Sequence, residues 1–215
     1  MNDVMLSSLK SYWDRLRAGR IAPYRAEIDP REFEAALENM FIAEKLSADN
    51  MRIRLAGMNI CEMMGMEVRG MQVEYLIDEA DRKRFIRLLN VVMSEPSVVE
   101  LELAAQNRAG VYRAAMLLMP LRSDFGEINR VLGCASGDNE LYAPPLSFMI
   151  ESVTVSPVEP NQTDEQKTLL PGFAEEQTSF TAEPSAPKLR SIDGNPDAPT
   201  TPREGAPKLR VIDGK

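Results

Sequence analysis

Apolar residues recur every three to four positions through Val4, Leu6, Leu9, Tyr12, Trp13 and Leu16, the spacing that lines one face of an α-helix. This leader helix should stop near Gly19, and Pro23 and the Asp29-Pro30 pair mark an irregular connection. Asp29 suits a helix cap with Pro30 at the first helical position, where a missing N–H costs nothing. Phe33, Ala36, Leu37 and Met40 then recur at helical spacing.

From Phe41 the period changes. Phe41 to Glu44 and Met51 to Leu55 flank the turn-rich Ser47-Ala48-Asp49-Asn50, which predicts two antiparallel strands. Gly57 breaks the second. Ile60, Met63 and Met64 suggest a short helix ending at Gly65, and Gly70 punctuates the chain before Val73-Glu74-Tyr75-Leu76-Ile77. Asp78 or Asp81 caps a longer helix whose apolar face is Phe85, Leu88, Leu89 and Val92, closed by Pro96. Three strands follow: Val98 to Gln106 and Val111 to Leu121 as a hairpin, then Arg130 to Ala135. Val99, Leu101 and Leu103 alternate with Glu100, Glu102 and Ala104, so one face of that sheet is buried and the other wet. The order predicts an α+β fold with five strands.

Composition sets the boundaries. Of 15 prolines, nine lie between Pro157 and Pro207, a density that regular elements exclude. Residues 1–30 therefore read as leader helix and connection, 31–155 as the folded body, and 156–215 as a disordered tail, too poor in large apolar residues to offset chain entropy.

Net charge is −8, with −5 on the first 155 residues and −3 on the remainder, so neither part attracts polyanions and nucleic acid is not an expected partner. Arg15, Arg17, Arg20, Arg25 and Arg31 form a local exception, read as a solvated or internally paired set in preference to a phosphate-binding patch. Two cysteines, Cys61 and Cys134, show no metal or disulfide spacing and fit a reducing compartment. With no apolar run near the roughly 18 residues of a membrane span and no signal-peptide pattern, the expectation is a cytoplasmic protein with no membrane partner.

Particular segments carry a more specific likeness. Trp13-Asp14-Arg15-Leu16-Arg17-Ala18-Gly19-Arg20, with Ala22-Pro23-Tyr24-Arg25 and Asp29-Pro30, resembles the leader of a bacterial family of short proteins built on a single PAS domain. Arg52-Ile53-Arg54-Leu55-Ala56-Gly57, Gly65-Met66-Glu67-Val68-Arg69-Gly70, Pro120-Leu121 and Arg130-Val131-Leu132-Gly133 are similar to the same family. The resemblance covers about residues 9 to 137 and departs at Met58, where a small hydroxyl residue is expected. It implies a five-stranded antiparallel sheet covered by helices, and a sensory or protein-interaction role without known catalytic activity.

The residues agree with a non-enzymatic reading. The chain has no histidine, which removes the commonest general base, metal ligand and triad member together, and with them haem held by an imidazole. Cys61 beside Glu62 and Cys134 inside an apolar strand lack the electropositive setting a nucleophile needs, and both read as small core residues. Asp78 and Asp81 precede a helix and read as caps, not as an acid–base pair. A photoactive flavin would require a cysteine in a polar, asparagine-bearing helix motif, whereas Ile60, Glu62, Met63 and Met64 surround Cys61. No cofactor is evident.

What remains is methionine: Met58, Met63, Met64, Met66 and Met71 crowd one short segment. Such side chains adapt to irregular cavities and to partners, and they read either as core packing or as a plastic apolar site. The expected pocket consists of Ile53, Leu55, Met58, Met63, Met64, Phe85 and Leu89, open to a small-molecule ligand. The leader stripe Leu9, Tyr12, Trp13 and Leu16 is the expected surface of a homodimer, unless it packs on its own sheet.

In the tail, Ala186-Pro187-Lys188-Leu189-Arg190-Ser191-Ile192-Asp193-Gly194 returns as Ala206-Pro207-Lys208-Leu209-Arg210-Val211-Ile212-Asp213-Gly214. Neither copy is long enough to fold alone. Pro187, Leu189, Arg190, Ile192, Pro207, Leu209, Arg210 and Ile212 are the expected contacts to a protein partner, as an extended peptide added to a sheet edge or groove. Two copies on one tether raise apparent affinity for a divalent partner by about 10²–10⁴-fold. The expected function is a sensory or regulatory protein acting through protein–protein contacts, with a constitutive adaptor as the alternative.

Overall fold

The computed structural model describes residues 3–47, 50–107, 110–137 and 144–160. Its centre is one antiparallel sheet in the order β2-β1-β5-β4-β3-β6. The strands are β1 (Met40–Ser47), β2 (Asn50–Ala56), β3 (Ser97–Asn107), β4 (Gly110–Arg122), β5 (Ile128–Gly137) and β6 (Met149–Pro157). Helices cover both faces: α1 (Val4–Arg17) and α2 (Glu34–Leu37) one, α3 (Met58–Met64) and α4 (Arg82–Ser94) the other.

Each element has a local cause. Asp3 caps α1 by accepting from the backbone N–H of Met5 and Leu6, and Ala18 and Gly19 end it with positive φ. Asp29 caps the 3-10 turn Pro30–Phe33 that leads into α2, as its pairing with Pro30 predicts. Gly65 ends α3 in the left-handed conformation. Asp81 stands at the start of α4, but its carboxylate does not cap the helix; it accepts from the N–H of Ile150, while Asp78 accepts from Ser147 Oγ and Ala80 N. The two acids thus anchor the entry to β6.

Two apolar clusters hold the layers. On the inner face, Phe41, Ile53, Met63, Phe85, Leu89, Leu101, Leu103, Met116, Leu118 and Phe148 pack beneath α3 and α4. On the outer face, Leu9, Tyr12 and Trp13 of α1 pack with Phe33 and Ala36 against Met40, Ile42, Leu117, Met119, Leu121, Leu132 and Cys134. Each fully buried Leu, Phe or Met contributes about 1.5–3 kcal/mol relative to exposure.

Two expectations are corrected. The sheet has six strands, not five: β6 pairs antiparallel with β3 from Ser97↔Pro157 to Ala104↔Met149, carrying regular structure two residues past the expected end at 155. Alternation also fails in β2. Ile42 lies opposite Leu55 but Ala43 lies opposite Ile53, so Arg54 is an extra residue, a β-bulge, and Leu55 is turned to the outer face. Of the tail, only 156–160 are described; the duplicated motif and its eight expected contact residues lie outside the described residues.

Candidate functional site

The segment that distinguishes this sheet-and-helix body is α3 with its methionines, and its two sides differ. Toward the sheet, Ile60 and Met63 are buried and Met64 is half-buried. With Leu76, Met116, Ala135 and Phe148 they surround a void of only about 10 Å3, room for about one water at most. Beside it, a cavity of about 580 Å3 lies between Asn59 and Met63 of α3 and Tyr112, Ala135 and Ser136 of the sheet.

Of the seven expected pocket residues, Ile53, Phe85 and Leu89 are fully buried in the inner cluster, while Met63 and Met64 line the residual void. Leu55 and Met58 are not brought there. The bulge at Arg54 sends Leu55 outward, 36% exposed, and Met58, the first residue of α3, faces solvent at 66%. Ile60, Leu76, Met116, Ala135 and Phe148 were not in the expected set. Met116 sits on the inward register of β4 and was legible as such, but Phe148 follows a proline pair that gave no periodic signal.

Toward solvent, α3 carries an apolar hollow of about 610 Å3 lined by Met58, Cys61, Glu62, Gly65, Met66 and Pro144. Met66 is 52% exposed, so two methionines stand at the surface within one short segment. Glu62 supplies a carboxylate with no salt-bridge partner among the described residues. Cys61 is half-buried here, packed against the edge of the inner cluster; its Sγ lies 3.7 Å from Glu67 Oε1. Cys134, by contrast, is fully enclosed between α1 and the sheet, and burial pushes its thiol up to about 12.

Close backbone approach fixes α3. A Cβ on Gly57 would stand 2.2 Å from the carbonyl oxygen of Glu38, and Gly57 N–H donates to Met40 O at 2.8 Å. Asn59 continues this with N–H to Glu38 O at 3.0 Å and Nδ2 to Asn39 Oδ1 at 2.7 Å. The glycine after Arg52-Ile53-Arg54-Leu55-Ala56 is therefore a packing requirement.

The leader residues pack within one copy of the chain. Leu9, Tyr12 and Trp13 are buried, Leu16 is half-buried, Tyr12 stacks at a tilt on Phe33 at 5.1 Å, and Trp13 Nε1–H donates to Pro120 O at 3.0 Å. They are covered without a second copy. Of the five leader arginines, Arg17 pairs with Asp14, Arg20 with Glu27 and Arg31 with Asp29. Among the described residues no three potential metal ligands gather, and no helix is long and apolar enough to cross a membrane.

Solved structures similar to the chain include a light-oxygen-voltage domain studied with a flavin analogue, at 17% identity over 51% of this chain and 84% of that one, TM-score 0.39. The dark structure of the blue-light photoreceptor Aureochrome1 LOV matches at 19% identity, over 50% and 80%, TM-score 0.38. The PAS domain of an HTR-like protein from Haloarcula marismortui matches at 18% identity, over 60% and 99%, TM-score 0.34. No curated protein matches the sequence. The profile of the PAS domain family matches residues 1–136, more than half of the chain, and the chain belongs to that family.

Proposed function

We propose that this protein is a regulatory PAS domain that acts by binding another protein through the exposed methionine face of α3, and not by catalysis. The observation that carries the reading is the open apolar hollow on the solvent side of α3, with Met58 and Met66 exposed at its rim. Exposed methionines adapt to differently shaped apolar partners, and Glu62 beside them selects a partner segment that sets an apolar side chain next to a basic one. The absence of histidine from the sequence supports binding over acid–base chemistry.

A photoactive flavin is not part of this reading. Cys61 lines the solvent-side hollow beside Glu62 and also packs against the edge of the inner cluster. The duplicated tail motif supplies a second contact to protein partners in this reading, with the α3 face and the tail engaging separately.

A second reading, ligand-gated docking, is favoured by one feature: Met63, Met64 and Met116 line the residual void, and flexible side chains of this type can vacate space for a small apolar molecule. The test of the first reading is affinity capture with the full chain and with the Met58→Glu/Met66→Glu variant, whose changes lie at the surface. Partners retained by the wild type and lost by the variant, at an unchanged unfolding midpoint, support it. The same partners on both proteins overturn it.

A further inference from the structure

On the outer face of the sheet, away from α1, the three neighbouring strands β2, β1 and β5 present a row of charges. Glu44 of β1 accepts from Arg54 Nε at 2.5 Å and from Arg130 Nη2 at 3.0 Å. Arg130 stands directly opposite Glu44 in the β1–β5 register, and Arg54 reaches it because the bulge turns both Arg54 and Leu55 outward. Arg25 joins them from the 3-10 turn Arg25–Glu27. Its chain position is fixed next door, where Tyr24 bridges to Arg122 and Arg122 N–H donates to Pro23 O at 2.9 Å. The result is an open cavity of about 340 Å3 lined by Arg25, Ile42, Glu44, Arg54, Leu55 and Arg130.

Hydrogen-bond capacity there is far from used. A guanidinium carries five N–H donors in a planar fork. Arg54 spends one on Glu44, Arg130 spends two, and the Arg25 side chain has no partner among the described residues, unlike its neighbours Arg20 and Arg31. Three arginines against one glutamate make this corner locally +2 in a chain of net charge −8. The apolar walls are Ile42, which is buried, and Leu55, which is partly open.

We propose that this cavity binds a small phosphate-bearing molecule: the dianion sits among Arg25, Arg54 and Arg130, and an apolar body lies against Ile42 and Leu55. Guanidinium forks match phosphate oxygens in geometry and stay charged at any physiological pH, and a dianion neutralises the local excess. The chain's overall negative charge gives no long-range steering, so recognition rests on these short-range bonds. This site is separate from the α3 face and stands whether or not that face docks a protein.

Calorimetric titration of the full chain at fixed ionic strength tests it, with inorganic phosphate and phenyl phosphate as probes. Wild type binds both, and phenyl phosphate more tightly because its ring covers Leu55. Arg25→Ala weakens both by about tenfold, the scale of one charge-assisted contact, at an unchanged unfolding midpoint. Leu55→Glu, which adds a second carboxylate to the cavity, weakens them as well, whereas Arg87→Ala on α4 does not. Wild type that binds neither probe, or an Arg25→Ala protein that binds as tightly as wild type, overturns the proposal.

Discussion

Phe41 lies across Gly133. The two residues face each other on β1 and β5, and a Cβ built on Gly133 would fall 2.1 Å from the ring of Phe41. The ring occupies the space a side chain would take, so the glycine that closes Arg130-Val131-Leu132-Gly133 is dictated by its neighbour. Phe41 is fully buried in the inner cluster, so it has no room to withdraw. Gly133→Ala should cost about 1–3 kcal/mol, the range for overpacking a tight core, measured by urea denaturation. A variant as stable as wild type would mean the ring moves aside freely.

The leader helix makes a prediction of the same kind on the other face. Trp13→Phe keeps most of the apolar contact but leaves the Pro120 carbonyl without its donor, at a cost of about 1–3 kcal/mol. Leu9→Ala removes a fully buried side chain at about 2–5 kcal/mol. Circular dichroism during urea unfolding reads both. Because α1 packs on its own sheet, the losses should be independent of protein concentration; losses that vanish on dilution would place these residues between two copies instead.

The two cysteines should behave oppositely toward a thiol reagent. Cys134 is fully buried and its thiol is pushed up to about 12, whereas Cys61 is half-buried at the solvent-side hollow. Under native conditions Cys61 alone should label, and Cys134 only on unfolding; mass spectrometry of the labelled peptides decides. Rapid native labelling of Cys134 would show that α1 lifts off the sheet.

Glu44 gives a pH dependence with a definite sign. Burial pushes its carboxyl upward and is the largest single influence, but the hydrogen bonds and the positive charges of Arg54 and Arg130 together outweigh it and hold the group below its ordinary value. A carboxyl lowered on folding stabilises the folded state above its unfolded-state value, and that contribution is lost as pH falls through the folded one. Glu44→Gln should therefore be less stable than wild type at neutral pH by about 1 kcal/mol or less, a scale set by partial solvent exposure of the trio. The difference should close in acid and shrink at high salt. A gap that is constant with pH would assign it to packing instead of charge.

Much of the fold was legible because local patterns and tertiary packing agree. The apolar stripe of α1, the Asp29-Pro30 cap, the β3–β4 hairpin and the face of α4 all follow from spacing alone. β6 was not legible. Pro144, Pro145 and Pro157 flank it, and as an edge strand it sends few side chains inward, so only the β-branched Val153-Thr154-Val155 hints at it. Leu55 was misplaced because alternation cannot reveal a bulge. The leader stripe showed that Leu9, Tyr12 and Trp13 must be covered, but a stripe does not say by what. Arg25, Arg54 and Arg130 are far apart in sequence, and only the β2-β1-β5 order brings them to one cavity.

The central claim is that regulation leaves through the exposed methionine face of α3 and is not gated by a small apolar molecule bound beneath that helix. A thermal-shift screen of the full chain against apolar and heterocyclic compounds tests this most directly, run beside Met63→Ala, in which a buried side chain is removed to open the void. The account predicts compounds that raise the midpoint of Met63→Ala and none that raise that of wild type. A compound that stabilises wild type and loses its effect when Met63 is enlarged to Trp would contradict it.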